Sequence, residues 1–178
     1  ARARLRPRGG ARSPGAPRRR VTTPALNEDW SDLLGCFRDG GVDYIIVGAH
    51  ALAAHGLPRA TGDLDVLVRP SDDNAARVYR ALARFGAPLE AHHVTEADFA
   101  TLGVVYQLGL PPRRIDILTQ ISGVSFDEAW ASSIELSVQG QPTRFLGRQA
   151  LLQNKRAAGR PKDLADVAAL ERDGAPPR

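Results

Sequence analysis

Apolar positions recur along the chain at two periods, and the switches between them lay out the elements. Trp30, Leu33, Leu34 and Phe37 fall at helical spacing and predict a helix over 26–39, halted by Gly40 and Gly41. The run "DYIIVG" (43–48) reads as a short buried strand, and "AHALAAHG" (49–56) as a short Ala-rich helix closed by glycine. After a loop containing Pro58, "DLDVLV" (63–68) returns to strand character. A helix follows over 71–85, with Ser71 as N-cap and Gly86 beyond its end. Thr95 caps a short helix over 95–101. "LGVVYQLGL" and "RRIDIL" read as two antiparallel strands joined at Pro111 and Pro112. A short helix over 125–130, the strands "IELSVQG" and "TRFL", and helices over 148–158 and 161–172 complete the chain, with Pro161 suited to a first turn. The predicted class is α/β (α+β): a small, mixed, mostly antiparallel sheet flanked by helices.

The strand 63–68 departs from its own pattern. Asp63 and Asp65 are two residues apart, so both carboxylates project from one face, where like charges repel and resist burial. In "RRIDILT", Ile115 and Ile117 face one way, and Asp116 faces the other with Arg114 and Leu118. Any one of these acids alone reads as an edge residue in water or as an ion-pair partner of Arg59 or Arg114. A D-x-D strand plus an isolated acid between isoleucines, downstream of a glycine turn, reads as a metal site. Three carboxylates fit Mg2+, a hard cation that takes oxygen ligands and leaves room for phosphates. The turn is "IIVGAHAL": a strand runs into Gly48 and a helix begins at once, which turns backbone N–H groups toward an incoming anion.

Charge divides the chain. Residues 1–20 hold eight arginines and no acid, so the other 158 of the 178 residues carry 24 − 8 = 16 bases against 20 acids, a net of −4. The basicity is local, and the calculated pI near 9.8 does not make the folded part a nucleic-acid binder. Residues 1–24, rich in Arg, Pro and Gly, read as a disordered tail preceding one domain over 25–174. That tail has no apolar core of a secretory signal. The longest apolar run, "YIIVGAHALAA", is too short to span a bilayer. With one cysteine, Cys36, the chain forms no internal disulfide and no cysteine-type zinc cluster, which fits a reducing cytoplasm. His50 and His55 flank the Ala-rich helix, and His92–His93 reads as a loop. Only two of the 24 basic residues are lysines, Lys155 and Lys162, so lysine is not the default cation here.

The order strand, glycine turn, D-x-D and later third acid resembles the nucleotidyltransferase superfamily of DNA polymerase beta. The strings "VGAHALAAHGLPRATGDLDVLV" and "LLQNKRAAGRPKDLADVAAL" resemble the minimal bacterial nucleotidyltransferases that include the AbiEii-type toxins, over about residues 44–170. No Walker A loop, G-x-G-x-x-G or H-E-x-x-H motif competes. The resemblance implies a nucleotidyltransferase fold in which Gly48 and Ala49 form the phosphate-cradling turn. That family has Gly or Ser at the second position; Ala49 keeps the backbone N–H and forgoes a hydroxyl contact. Asp63 and Asp65 match the metal-binding pair and Asp116 the third acid, which helps hold the metal and lowers the proton affinity of the acceptor hydroxyl. Arg59 and Thr61 match an R-x-T-x-D-x-D extension of the toxin-like branch. Lys155 matches a basic residue that meets the triphosphate, and Lys162 is grouped with it as nucleotide-binding.

The implied enzyme moves a nucleoside monophosphate from an NTP to an acceptor hydroxyl, with two Mg2+ ions or Mn2+ in their place. The acceptor is a tRNA end, a protein or a small molecule, and an antitoxin protein is a possible partner. The alternative is a catalytically weak module of the same fold that works through a protein or RNA partner.

Overall fold

A computed structural model describes residues 26–173; the tail expected over 1–24 lies outside them. Helix α1 (Glu28–Asp39) opens at Asn27, whose side-chain oxygen accepts the Trp30 N–H at 3.0 Å. That cap sets the start two residues inside the apolar pattern. The strands are β1 (Tyr44–Ile46), β2 (Asp63–Val68), β3 (Val105–Leu108), β4 (Arg114–Leu118), β5 (Ile134–Val138) and β6 (Gln141–Phe145). They form one sheet in the order β3-β4-β2-β1-β6-β5. The pairs β1/β2, β3/β4 and β5/β6 are antiparallel, while β2/β4 and β1/β6 are parallel. The mixed, mostly antiparallel sheet read from the sequence is the one observed.

The remaining helices are α2 (Gly48–Ala54), α3 (Asp72–Phe85), α4 (Glu96–Ala100), α5 (Phe126–Ala131), α6 (Arg148–Ala158) and α7 (Pro161–Asp173). They cover both faces of the sheet. On one face Leu64, Val66 and Val68 of β2 and Ile115 and Ile117 of β4 pack with α1, α3 and Phe99 of α4. On the other, Ile45 and Leu67 pack with α2, α5, α6 and α7 through Leu52, Phe126, Leu151 and Leu170. The period-2 alternation of β2 and β4 therefore sends branched apolar residues to the first face and Asp63, Asp65, Arg114 and Asp116 to the second.

One buried polar residue fixes how the strands meet α3. Asn74 accepts the Asp43 N–H at 2.8 Å and donates to the carbonyls of Asp43 and Arg69 at 3.1 and 3.0 Å. It supplies the partner of the Asp43 N–H at the start of β1 and a second donor to the Asp43 and Arg69 carbonyls, which also accept from the N–H groups of Arg69 and Ser71.

Candidate active site

Parallel pairing of β2 with β4 sets Asp65 beside Asp116 and Asp63 beside Arg114. All four side chains share the α2/α6/α7 face, so the three acids expected to converge lie on one side of two adjacent strands. Arg114 occupies the middle of the group. Its guanidinium donates to Asp63 Oδ2 at 2.7 Å and to Asp116 Oδ1 and Oδ2 at 3.0 and 3.2 Å. Gln107, opposite Asp116 on β3, donates to both of its oxygens at 3.3 Å. Two of the acids are thus already braced.

Asp65 is the acid without such support. Among the described residues no side chain donates to it. Burial, then the charges of Asp116 and Asp63, push its pKa from 3.8 up to about 6 against the opposing pull of Arg114 and Lys162. Gly48 packs directly on it. A Cβ at Gly48 would stand 2.0 Å from Asp65 Oδ2, and the backbone there has φ +62, a conformation glycine adopts without penalty. The Val47 N–H donates to the Asp65 carbonyl at 3.0 Å, which locks the turn to the acid strand. The glycine turn and the acid pair, 17 residues apart in sequence, are in contact in the fold.

A cleft of about 430 Å3 opens here, lined by Gly48, Asp65, Asp116, Ser122, Asn154 and Arg160, among others. The donor set is all carboxylate oxygen, which suits Mg2+ or Mn2+ rather than a soft metal. Asp65, desolvated and uncompensated, is the group such a cation would neutralise. As the side chains stand, with Arg114 between Asp63 and Asp116, no three His, Cys, Asp or Glu among the described residues form a ready cage for an ion.

The other nucleotide-binding candidates divide. Lys162 is exposed in the first turn of α7, and its charge is felt at Asp65. Thr61 Oγ1 lies 3.2 Å from both the N and the O of Asp63, so it holds the start of β2. Arg59 bonds Asp166 on α7 at 3.1 Å. Lys155, expected at the triphosphate, is buried instead. Its ammonium donates to Asp163 at 3.2 Å and Asp166 at 2.7 Å, pinning α7 to α6. The physical reason is helix rotation: Lys155 follows Leu151 by four residues, so it shares that helix's buried stripe. Asn154 and Arg160, not singled out from sequence, are the polar residues from this region that line the cleft, beside Ala158. Arg160 stands in the turn between the helices, where a Gly159–Pro161 bracket was its only signal. Gln107 had none, because its role depends on the β3/β4 register.

The histidines lie elsewhere. His50 is buried edge-on against Trp30 at 5.0 Å, and burial lowers its pKa, so it is a neutral core residue. His55 closes α2 and donates from Nε2 to the Leu146 carbonyl at 2.8 Å. The His92 ring meets the Tyr106 hydroxyl at 3.1 Å.

No protein-family model and no curated protein matches the chain. Among solved structures it is similar to ANT(2")-Ia in complex with adenylyl-2"-tobramycin. The TM-score is 0.51 at 14% identity, covering 82% of this chain and 87% of that one. At that identity the likeness is one of fold. The chain shares with that structure a mixed α/β fold, here a six-stranded sheet with flanking helices.

Proposed function

We propose that the chain is a nucleotidyltransferase that moves a nucleoside monophosphate from an NTP to an acceptor hydroxyl. The observation that carries this reading is the pairing of Asp65 with Asp116 on one sheet face, with the Gly48 turn packed against Asp65. In the reaction the acceptor oxygen bonds to the α-phosphorus, the bond to the β-phosphate bridge breaks, and pyrophosphate leaves with that electron pair. Asp63, Asp65 and Asp116 would hold Mg2+, with Mn2+ as a substitute. When bound, such ions neutralise charge on the attacking and leaving oxygens. Asp116 lies beside the reacting face, where its carboxylate would take the proton of the acceptor hydroxyl as that oxygen attacks. Gly48 and Ala49 offer backbone N–H groups to phosphate. Arg160 and Lys162 supply positive charge toward the leaving pyrophosphate, a role their position by the cleft suits better than that of Lys155. Arg59, Thr61 and Lys155 act by holding β2 and α7 in place.

The acceptor is a tRNA end, a protein hydroxyl or a small molecule, and the AbiEii-like strings support a toxin acting beside an antitoxin protein. One observation favours the second reading, a catalytically weak binding module: Arg114 already bridges two of the three acids. Incubation with α-labelled NTPs, Mg2+ and total RNA or protein separates the two. Label transfer that disappears with EDTA and in Asp65→Asn supports the enzyme. No transfer with any of the four NTPs, from protein that still binds Mg2+, supports the module.

A further inference from the structure

The two edges of the sheet are finished differently. At one edge, β5 carries the charged Glu135, which faces Arg144. At the other, β3 carries no charge at all: Val105, Tyr106, Gln107 and Leu108. Natural sheet edges are usually blunted by a charge, a proline or a bulge, because a bare edge invites another strand. Of the four exposed large apolar side chains among the described residues, three lie at this edge: Leu102, Val105 and Leu110, at 62%, 52% and 80% exposure.

The register shows which backbone groups are free. The Thr119 N–H donates to the Val104 carbonyl, so residue 104 bonds toward β4. In an antiparallel ladder the bonding direction alternates, so 106 and 108 also bond inward while Val105 and Gln107 turn their N–H and C=O groups outward. Among the described residues none pairs with those outward groups. Leu102, just before this strand, also lines a cavity of about 590 Å3 with Leu67, Ile121, Val124 and Phe126. Among the described residues the one cation lining it, Arg69, is already held by Asp43 and Asp127 at 3.0 and 2.5 Å.

We infer that the β3 edge is a docking site for an extended polypeptide segment of a partner protein, added as a seventh strand. Main-chain bonds to Val105 and Gln107 supply affinity, and an apolar side chain of the segment enters the Leu102–Phe126 cavity and supplies specificity. The described lining, whose one cation Arg69 is already paired with acids, disfavours a nucleic acid or an acidic segment and suits an uncharged, alternating apolar one. A second copy of the chain is disfavoured by size. A four-residue strand pairing with itself buries far less than the roughly 1,200 Å2 a stable dimer needs. The inference does not depend on nucleotide transfer by the acid cluster.

The test uses the full chain, without NTP or metal, and blocked octapeptides alternating valine with serine, threonine or tyrosine. A proline-interrupted peptide of the same composition is the control. Binding is followed by backbone amide shifts and by calorimetry. Expected are shifts at the Val105 and Gln107 amides and at the Leu102 methyls, with the control peptide inert. Val105→Pro removes one outward N–H and costs β3 no inward bond, so the fold is kept. It should weaken binding at least tenfold with an unchanged melting temperature. If Val105→Pro fails to fold, Val105→Lys, which places a charge at the edge, gives the same reading. Four results overturn the inference. They are no peptide binding, binding indifferent to both variants, a dimer that Val105→Pro dissolves, and binding that appears only once residues 1–24 are removed. The third would assign the edge to a second copy, and the last to the chain's own N-terminal segment.

Discussion

Asp65 is where single-residue chemistry is most exposed to measurement. Its pKa in the folded state, about 6, is above its ordinary value of 3.8. Between those two pH values the folded chain binds more protons than the unfolded one, so this residue makes stability fall as pH rises from about 4 to 6, and the loss persists above 6. A gap of two units is worth about 3 kcal/mol at most. In EDTA, Asp65→Asn should therefore raise the stability of the chain at pH 7 by about 1–3 kcal/mol. It should also flatten the slope between pH 4 and 6. Thermal melts of both proteins across pH 4–8 check this, and an unchanged slope would remove the case for a desolvated carboxylate. Gly48 answers to the same contact. Gly48→Ala introduces a Cβ into the Asp65 carboxylate at a positive φ. It should cost about 1–3 kcal/mol and displace Asp65 from the cleft. Measured Mg2+ affinity should fall with it.

At the level of elements, the helix pair α6 and α7 changes what mutation of Lys155 means. A lysine contacting triphosphate would be dispensable for folding. A lysine buried between Asp163 and Asp166 is not, because its removal leaves two carboxylates facing each other in the interior. Burial works to raise the pKa of Asp163, but hydrogen bonds from Arg160 and Lys155 hold it below the usual range. Its contribution to stability is present at neutral pH and fades as pH falls through that depressed value. Lys155→Ala should destabilise the chain by about 3–5 kcal/mol, toward the lower figure because Arg160 and Arg59 remain as partners. Denaturant titration checks the size, and a loss under about 1 kcal/mol would place the ammonium in solvent. The same helix pair shows where sequence reading stops. Helices and strands were legible because apolar spacing and caps such as Ser71 and Thr95 are local. The shared facing of Asp63, Asp65 and Asp116 was legible from period-2 alternation and from isoleucines flanking the third acid. The brace from Arg114 to Asp63 and from Gln107 to Asp116 was not, since it needs the β2/β4 and β3/β4 registers. Nor was the burial of Lys155, because α7 hides its partners eight and eleven residues further along the chain.

For the molecule as a whole, charge and stability are separable. The two apolar layers on either face of the sheet draw their residues from between Leu26 and Leu170. The acid cleft lies where the second layer ends. Residues 1–24 hold all eight of the arginines that make the chain basic, and without them the remainder is net negative. A chain beginning at Pro24 should melt within about a degree of the full one, since composition of this kind buries too little apolar surface to offset the entropy of ordering it. Its affinity for RNA should behave quite differently. Binding through arginine releases counterions, and for single strands log K falls with log salt by about 0.7 per phosphate contacted. Removal of the tail should therefore abolish most RNA binding and flatten its salt dependence, while label transfer to a small acceptor continues. Filter binding at two or three salt concentrations, beside a melt of each protein, decides it. A truncated chain that melts several degrees lower would show that the tail packs on the domain. One that keeps the full salt slope would move RNA binding to Arg160 in the cleft and to Arg114 and Lys162 near its acids.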